Sequence, residues 1–468
     1  MSGKKILIVV AVMAAISTAV FSQLVLSGKE LNLIPKPVAV QETGSVLGTE
    51  VGTGWSSKNN PAEAVKEAIE MALIGKKNRT PEFALVFASS GSDLSIMLPK
   101  LKELLGGQCK IYGGTSDSRG VMTNKGFVKA AKRAYDPATM NENKALVIMT
   151  VSSEDIVFGV GSAEFTRYPS VQEASKTAVR GAIRSAKKAE NELPKVILVT
   201  PTRGVEEEVL EGIEEVVGKN SIILGGTAGG PEFTVFGEES VYSRGLSLAV
   251  IYTDLPMGWT FEGGFDVKSP QSGIVTKVDG QAIVEIDNRP ALEVYNEWLG
   301  GEIDRLHKEV VDPSAIKVLL TLHPLYRKYT TPSGQDYFLF SHPWPADSTL
   351  QDKSIRTSTK IKAGERVFIS HGTWETLLNR VGELPRDAKV HGGIGVDVKP
   401  ILGIGIICAG VMGVIPEKER EKMPILLGYA NNDAPFIANF TSGEQGHLPG
   451  IGNKHGNLLT SFLVIGKQ

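Results

Sequence analysis

Hydrophobic positions along the chain change between a helical period and short apolar runs from residue 60 onward. In "NPAEAVKEAIEMALIG" the apolar residues fall on one helical face, with Asn60 as N-cap and Pro61 as the first helical residue. Short all-apolar runs such as "FALVFA" are typical of strands buried on both faces. The pattern predicts helices over 60–75 and 92–107, the second with Ser92 as N-cap. It also predicts strands over 83–88 and 145–151, and between them a strand that ends at Gly113.

The same order of elements recurs further along the chain. The pattern predicts helices over 170–189 and 204–218, and strands over 195–200, 221–226 and 246–252. The side chains repeat little, but the order of elements indicates an internal duplication. We therefore predict an α/β protein, with a duplicated α/β N-terminal domain followed by a second α/β (α+β) C-terminal domain. The predicted boundaries are 51–255 for the N-terminal domain, with halves 51–165 and 166–255, a linker over 256–289, and 290–465 for the C-terminal domain.

One short motif ends a predicted strand in each half. The first copy reads GGTSD (Gly113, Gly114, Thr115, Ser116, Asp117) and the second reads GGT (Gly225, Gly226, Thr227). Ligands of open α/β sheets collect beyond the carboxyl ends of strands, and glycine lets the backbone approach a ligand closely. A nucleotide site is poorly supported, because no Gly-Lys pair precedes Ser or Thr and no GxGxxG is present. Two equivalent turns favour a shared ligand pocket over two tight turns without a ligand.

The N-terminus has the pattern of an export signal. Lys4 and Lys5 precede an uncharged apolar run, 6–26, with small residues at Val20 and Ser22. The run is also long enough to span a bilayer, with the lysines inside and the remaining chain outside. We predict that residues 1–27 are a signal peptide or membrane anchor, that 28–50 are a linker, and that the rest is periplasmic or extracellular.

Composition and charge exclude several classes of protein. The net charge of −2 leaves no basic footprint for nucleic acid. Two cysteines in 468 residues exclude a disulfide framework. HExxH, GxSxG and CxxC motifs are missing from the sequence. His447 and His455 share one Gly-rich stretch and could bind a metal, but no Asp, Glu or His partner stands at a known ligand spacing, which favours surface or hydrogen-bonding roles. We therefore predict no metal, no cofactor and no catalytic constellation.

Two C-terminal stretches carry further candidates. Cys408 ends the apolar run "LGIGIIC", where it is either a packed core thiol or a thiol at the edge of a pocket. Glu444 lies between glycines in "GEQGHLPGIGNKHGN", and His455 and Asn457 precede the predicted strand "LLTSFLVI"; the glycines clear space for polar side chains that point into a cavity. The alternative is a hairpin loop capped by these side chains.

Several of these motifs together resemble the FIST family. "VGTGWSSKNNPAEAVKEA", "GGTSDSRG" and "GGTAGG" resemble parts of the FIST N-terminal domain. "PALEVYNEWLGG", with Tyr295, Asn296 and Trp298, resembles the first helix of the FIST C-terminal domain, and Gly443-Glu444 and Asn457 resemble its closing residues. The resemblance covers roughly 51–465. The chain departs from the family where Ala409-Gly410 follows Cys408 in place of Gly-Arg.

The resemblance implies a sensory module for small ligands such as amino acids, acting with a signalling partner. Family members are usually described as intracellular and are often joined to output domains, whereas for this chain we expect an export signal and no output domain. The predicted ligand-binding residues are the two glycine motifs, Asn296, Cys408, Glu444 and Asn457. The alternative function is an enzyme, a hydrolase or transferase, that uses Cys408 or Glu444. A third is a scaffold that recognises another protein.

Overall fold

The computed structural model describes residues 45–46, 48–117, 120–130, 144–309, 314–345, 350–395 and 397–467. The predicted signal or anchor segment, 1–27, and most of the predicted linker 28–50 lie outside these residues. Among the residues described, no helix has the length and apolarity needed to cross a membrane.

The first unit of the fold runs from residue 45 to residue 153. Its strands are β1 (Ser45–Val46), β2 (Thr49–Ser56), β3 (Phe83–Ser89), β4 (Lys110–Ser116), β5 (Gly120–Thr123), β6 (Gly126–Lys129) and β7 (Leu146–Ser153). Its helices are α1 (Pro61–Ala72) and α2 (Leu94–Leu105). The predicted start of α1 is confirmed, because Asn60 accepts hydrogen bonds from the N–H groups of Ala62 and Glu63. The N-cap of α2 is Asp93 and not Ser92.

The second unit runs from residue 156 to residue 253. Its strands are β8 (Ile156–Glu164), β9 (Val196–Pro201), β10 (Ile223–Gly226), β11 (Val235–Phe236), β12 (Val241–Tyr242) and β13 (Gly245–Thr253). Its helices are α3 (Val171–Ser185) and α4 (Glu206–Val217).

The third unit begins at residue 257, inside the segment that the sequence suggested as a linker. It starts with β14 (Met257–Glu262) and is then interrupted by an insertion. The insertion holds β15 (Ser272–Asp279), β16 (Ala282–Ile286), β17 (Arg289–Pro290), α5 (Ala291–Trp298), α6 (Glu302–Glu309), α7 (Ser314–Leu322), β18 (Leu325–Thr330), β19 (Asp336–Ser341), β20 (Pro343–Pro345), β21 (Ile355–Thr357) and β22 (Arg366–Ile369). The prediction of a linker over 256–289 is therefore wrong, because this segment contains β14 to β16, and these strands pair within sheets.

The third unit resumes after the insertion. It continues with α8 (Trp374–His391), β23 (Lys399–Cys408), α9 (Ala409–Val414), α10 (Glu417–Arg420), α11 (Met423–Ala430), β24 (Phe436–Thr441), β25 (Glu444–Leu448), β26 (Gly452–Gly456) and β27 (Thr460–Lys467).

The sheets of the three units have the same strand order. They run β2-β7-β3-β4, β8-β13-β9-β10 and β14-β27-β23-β24, and in each the last pair is parallel and the others antiparallel. The mixed α/β architecture is as predicted from the sequence. The repeat occurs three times in the described chain, since the third unit carries it around an insertion.

Each unit sends one hairpin into the sheet of another unit. The hairpin β5–β6 of the first unit pairs with β24 of the third, and β11–β12 of the second unit pairs with β4 of the first. The hairpin β25–β26 of the third unit pairs with β10 of the second. The exchange is cyclic, so no unit completes its sheet alone. The predicted N- and C-terminal domains are therefore interlocked by strand pairing.

Alternating side chains divide each sheet between two cores. In β3, Phe83, Leu85 and Phe87 point to a core shared with strands of the other two units, while Ala84 and Val86 pack against the helices. Glycines in the first strand of each unit let a helix approach. A Cβ on Gly54, Gly161 or Gly258 would lie 1.9, 2.1 or 2.1 Å from a carbonyl oxygen of the helix above.

Candidate functional site

The three parallel-pair strands β4, β10 and β24 end at one place in the molecule. The Gly229 N–H donates to the carbonyl of Thr115 (2.7 Å), and the Asp117 N–H donates to that of Phe440 (2.9 Å). The Ser442 N–H completes the ring by donating to the carbonyl of Thr227 (3.1 Å). Each unit thus bonds to the next around a centre that all three share.

Glycines at this centre make room for protein, since backbone and side chains of neighbouring units occupy the space. A Cβ on Gly229 would lie 2.2 Å from the backbone nitrogen of Asp117, and one on Gly226 would lie 2.2 Å from Cγ2 of Thr441. Gly113 and Gly225 are equally tight against the strands beside them. The Gly-Gly-Thr motifs were predicted as turns, but Gly113–Ser116 and Gly225-Gly226 lie inside strands.

The polar side chains of the first motif are bound within the protein. Thr115 donates to the carbonyls of Gly229 and Thr234, and the Ser116 hydroxyl contacts both the carbonyl and the N–H of Phe440. Asp117 is fully buried beside them. These groups join the units together. Their contact with a ligand stays a prediction. The second motif differs, because Thr227 opens onto a larger polar cluster.

Glu444, the first residue of β25, is fully buried in that cluster. Its carboxylate accepts hydrogen bonds from the Thr441 hydroxyl (2.7 Å), from the Leu459 N–H (3.2 Å) and from the Cys408 thiol. Burial raises the pKa of Glu444 to about 8, although these three donors oppose the shift. Burial, with the negative charge of Glu444, also raises the pKa of Cys408 well above its usual value. The thiol is therefore protonated at neutral pH and is a weak nucleophile.

A second group in the cluster consists of Glu206, Glu207 and His455. Nδ1 of His455, on β26, lies 3.1 Å from Oε1 of Glu207 at the start of α4. The other carboxylate, Glu206, accepts from the Thr227 hydroxyl (3.0 Å). Burial lowers the pKa of His455, but the charges of Glu206 and Glu207 outweigh burial and raise it above its usual value. The bond to His455 brings the pKa of Glu207 to about 2 against the opposing effect of burial.

Gly443 lies between these two groups. A Cβ placed on it would be 2.6 Å from Nε2 of His455, 3.4 Å from Oγ1 of Thr227 and 3.5 Å from Nδ2 of Asn457. The amide nitrogen of Gln445 donates to the Thr227 hydroxyl (3.2 Å). The structure thus gathers Thr227, His455, Asn457 and Gln445 around one glycine, next to Glu444.

Three polar atoms around Gly443 have no hydrogen-bond partner among the described residues. They are Oε1 of Gln445, Nε2 of His455 and Oδ1 of Asn457. The three residues are 0%, 4% and 3% exposed. A buried polar atom without a partner costs about 1–3 kcal/mol. Three such atoms on one hairpin and the residue that follows it therefore mark a position suited to a small polar molecule.

Asn296 is not among the residues around Gly443, and in this respect the structure differs from the predicted site. It is on α5 in the insertion, and its Oδ1 accepts from the N–H of Ile303 at the start of α6 (3.0 Å). This bond gives Asn296 a role in joining two helices. Of the other predicted residues, Thr227, Cys408, Glu444 and Asn457 do come together.

Sequence reasoning missed Glu206, Glu207, Gln445 and the role of His455. Glu207 and His455 are 248 positions apart, so no local spacing connects them. The run "VEEEVLEG" has the composition of an ordinary exposed helix start. The polar Gly-rich stretch around His455 was the one available signal.

Models of two known protein domains match consecutive parts of the chain. Residues 82–289 match the model of the FIST N domain, and residues 291–447 match that of the FIST C domain. The chain therefore belongs to the FIST domain family, as the motifs had indicated. FIST domains are associated with sensory and signal-transduction roles. No curated protein matches the chain.

Solved structures that are similar to the chain at a low level include the following two. A cyanuric acid hydrolase from A. caulinodans is 8% identical, with a TM-score of 0.31, over 90% of this chain and 100% of that one. PurLQS from Thermotoga maritima is 12% identical, with a TM-score of 0.20, over 90% of this chain and 73% of that one. At these scores neither likeness supports a conclusion about function.

Proposed function

We propose that this FIST protein is an exported or membrane-anchored sensory module that binds a small polar metabolite, an amino acid in the first instance. The observation that supports the proposal most is the set of unpaired buried atoms on Gln445, His455 and Asn457. The hairpin that carries Gln445 and His455 belongs to the third unit and completes the sheet of the second. A ligand held there would contact the hairpin that interlocks the two FIST domains. Its binding would therefore change the stability of the contact between the two domains.

The chemistry of these atoms suits a zwitterion. The amide oxygens of Gln445 and Asn457 accept hydrogen bonds, and an ammonium group supplies them. Nε2 of His455 carries a proton when Nδ1 faces Glu207 as a charged pair, and that proton suits a ligand carboxylate. Glu444, which the sequence suggested as the acceptor for the ammonium group, already accepts three bonds from the protein. The ligand contacts therefore fall to its neighbours.

Titration calorimetry with the purified protein tests the proposal. The ligand panel contains amino acids, the corresponding amines and the corresponding carboxylic acids. Gln445→Met and Asn457→Leu remove one amide each at nearly constant volume. Each variant is expected to weaken amino-acid binding about 10- to 150-fold, the effect of losing one bond to a charged group. Gln335→Met, an exposed amide in the insertion, is the matched control.

Two results would contradict the ligand assignment. One is that no member of the panel binds and that native mass spectrometry finds no co-purifying small molecule. The other is that both amide variants bind an identified ligand as tightly as the unmodified protein.

Export is tested separately. The basic residues before the apolar run 6–26 support a location of residues 28–468 outside the cytoplasm, in the periplasm or the extracellular space. A C-terminal alkaline phosphatase fusion, active only after export, is expected to be active. Activity of a reporter that functions only in the cytoplasm would contradict this location.

The enzyme alternative rests on the contact between Cys408 and Glu444. It is the weaker proposal, because burial keeps the thiol protonated and the histidine nearest to the pair bonds to Glu207. A signalling partner protein is a further part of the proposal, and pull-down with the ligand-loaded protein tests it.

A further inference from the structure

The group formed by Glu206, Glu207 and His455 has the composition of a metal site. Each residue offers one ligand atom, and the three atoms lie within 4.8 Å of one another. Glu206 is 3% exposed and His455 is 4% exposed. Nitrogen from imidazole and oxygen from carboxylates is a ligand set typical of zinc-like divalent ions.

The local charge favours a cation. Two carboxylates and one imidazolium sum to −1, in a place that is almost wholly buried. Lys360, from the insertion, approaches, but its ammonium group bonds to Glu208 and only its backbone N–H reaches Glu207. A divalent ion with a neutral imidazole brings the sum to zero. Burying a net charge is unfavourable, so the neutral arrangement is the more stable one.

An independent observation comes from the unpaired atoms beside the group. Gln445 is fully buried, its Oε1 has no partner among the described residues, and its amide nitrogen contacts the hydroxyl of Thr227. That hydroxyl donates directly to Glu206. Nε2 of His455 also has no partner. Buried polar atoms without a hydrogen-bond partner indicate that the cluster is suited to bind a further polar species.

We propose that Glu206, Glu207 and His455 bind one divalent metal ion of the zinc class. The 3.1 Å between Nδ1 of His455 and Oε1 of Glu207 is close to the roughly 3.3 Å edge of a tetrahedron with bonds of about 2.0 Å. The Glu207 side chain is 23% exposed, which gives an ion a path from solvent.

The metal site goes beyond the ligand site and is compatible with it. Coordination through Nδ1 leaves the imidazole proton on Nε2, the atom that faces Gly443. An ion would therefore orient His455 for the proposed ligand. The two proposals fail separately, since metal binding is measured with no organic ligand present.

The test uses the full purified chain, stripped with chelator and titrated with Zn²⁺ by calorimetry. The expected stoichiometry is one ion per chain. Glu206→Gln, Glu207→Gln and His455→Gln are each expected to weaken binding at least about 10- to 100-fold. His391→Gln is the matched control, because His391 and Glu262 form a histidine–carboxylate pair (2.9 Å) at the surface.

X-ray absorption at the zinc edge, on the unmodified protein, covers the case of a variant that does not fold. The expected spectrum has oxygen and nitrogen neighbours, including one imidazole. Three results would overturn the proposal. They are no binding at micromolar Zn²⁺, a spectrum with sulfur ligands, or equal affinity in the folded site variants and the control.

Discussion

Replacing Glu444 with glutamine is expected to change how the stability of the protein depends on pH. The carboxyl group is fully buried, and burial raises its pKa to about 8 from its usual value of 4.5. The folded protein therefore holds this proton more tightly than the unfolded chain does. The resulting stabilisation is complete below pH 4.5 and is lost as the pH rises towards 8.

The size of the effect follows from the shift. Each pKa unit corresponds to about 1.36 kcal/mol, so the full loss is about 5 kcal/mol, of which about 3 kcal/mol has occurred by pH 7. Glutamine does not titrate, and its amide keeps only part of the bonding to Thr441 and Leu459. The Glu444→Gln protein should be about 1 kcal/mol less stable than the unmodified protein at pH 5 and several kcal/mol more stable at pH 8.5.

Urea unfolding followed by circular dichroism, at pH values from 5 to 9, measures this. Glu70→Gln is the control, because Glu70 is an exposed carboxylate on α1. Its curve should run parallel to that of the unmodified protein. If the Glu444→Gln protein has the same pH slope as the unmodified protein, Glu444 does not titrate in this range and the inferred burial effect is wrong.

Three further outcomes are expected. Gly229→Ala should destabilise the protein by about 1–3 kcal/mol, because its Cβ meets the backbone of the first unit, whereas Gly107→Ala, with open space, should stay within about 0.5 kcal/mol in urea unfolding. Burial raises the pKa of Cys109 to about 12 and raises that of Cys408 well above its usual value, so both thiols should react with DTNB only after unfolding, and rapid native labelling would refute this. Burial lowers the pKa of His342 to about 3, so this residue alone should lower the free energy of unfolding by about 3 kcal/mol between pH 7 and 4.5, and the His342→Gln protein should gain that amount relative to the unmodified protein over this range in urea unfolding.

Local sequence determined much of this protein. The helical and strand periods placed most elements of the first two units, because amphipathic burial and capping act over a few residues. The start of α1 at Asn60 and Pro61 is one example. The motifs were also sufficient to identify the FIST family.

Tertiary structure alone decided the rest. The third unit was hidden because the insertion separates β14 from α8, so its repeat is discontinuous in the chain. The glycine motifs were interpreted as ligand turns, but neighbouring units fill the space that their missing side chains leave. The pairing of β25 with β10, some 220 positions away, brings His455 to Glu207. Such contacts depend on which sheet edge a hairpin completes, and no local pattern of hydrophobicity encodes that choice.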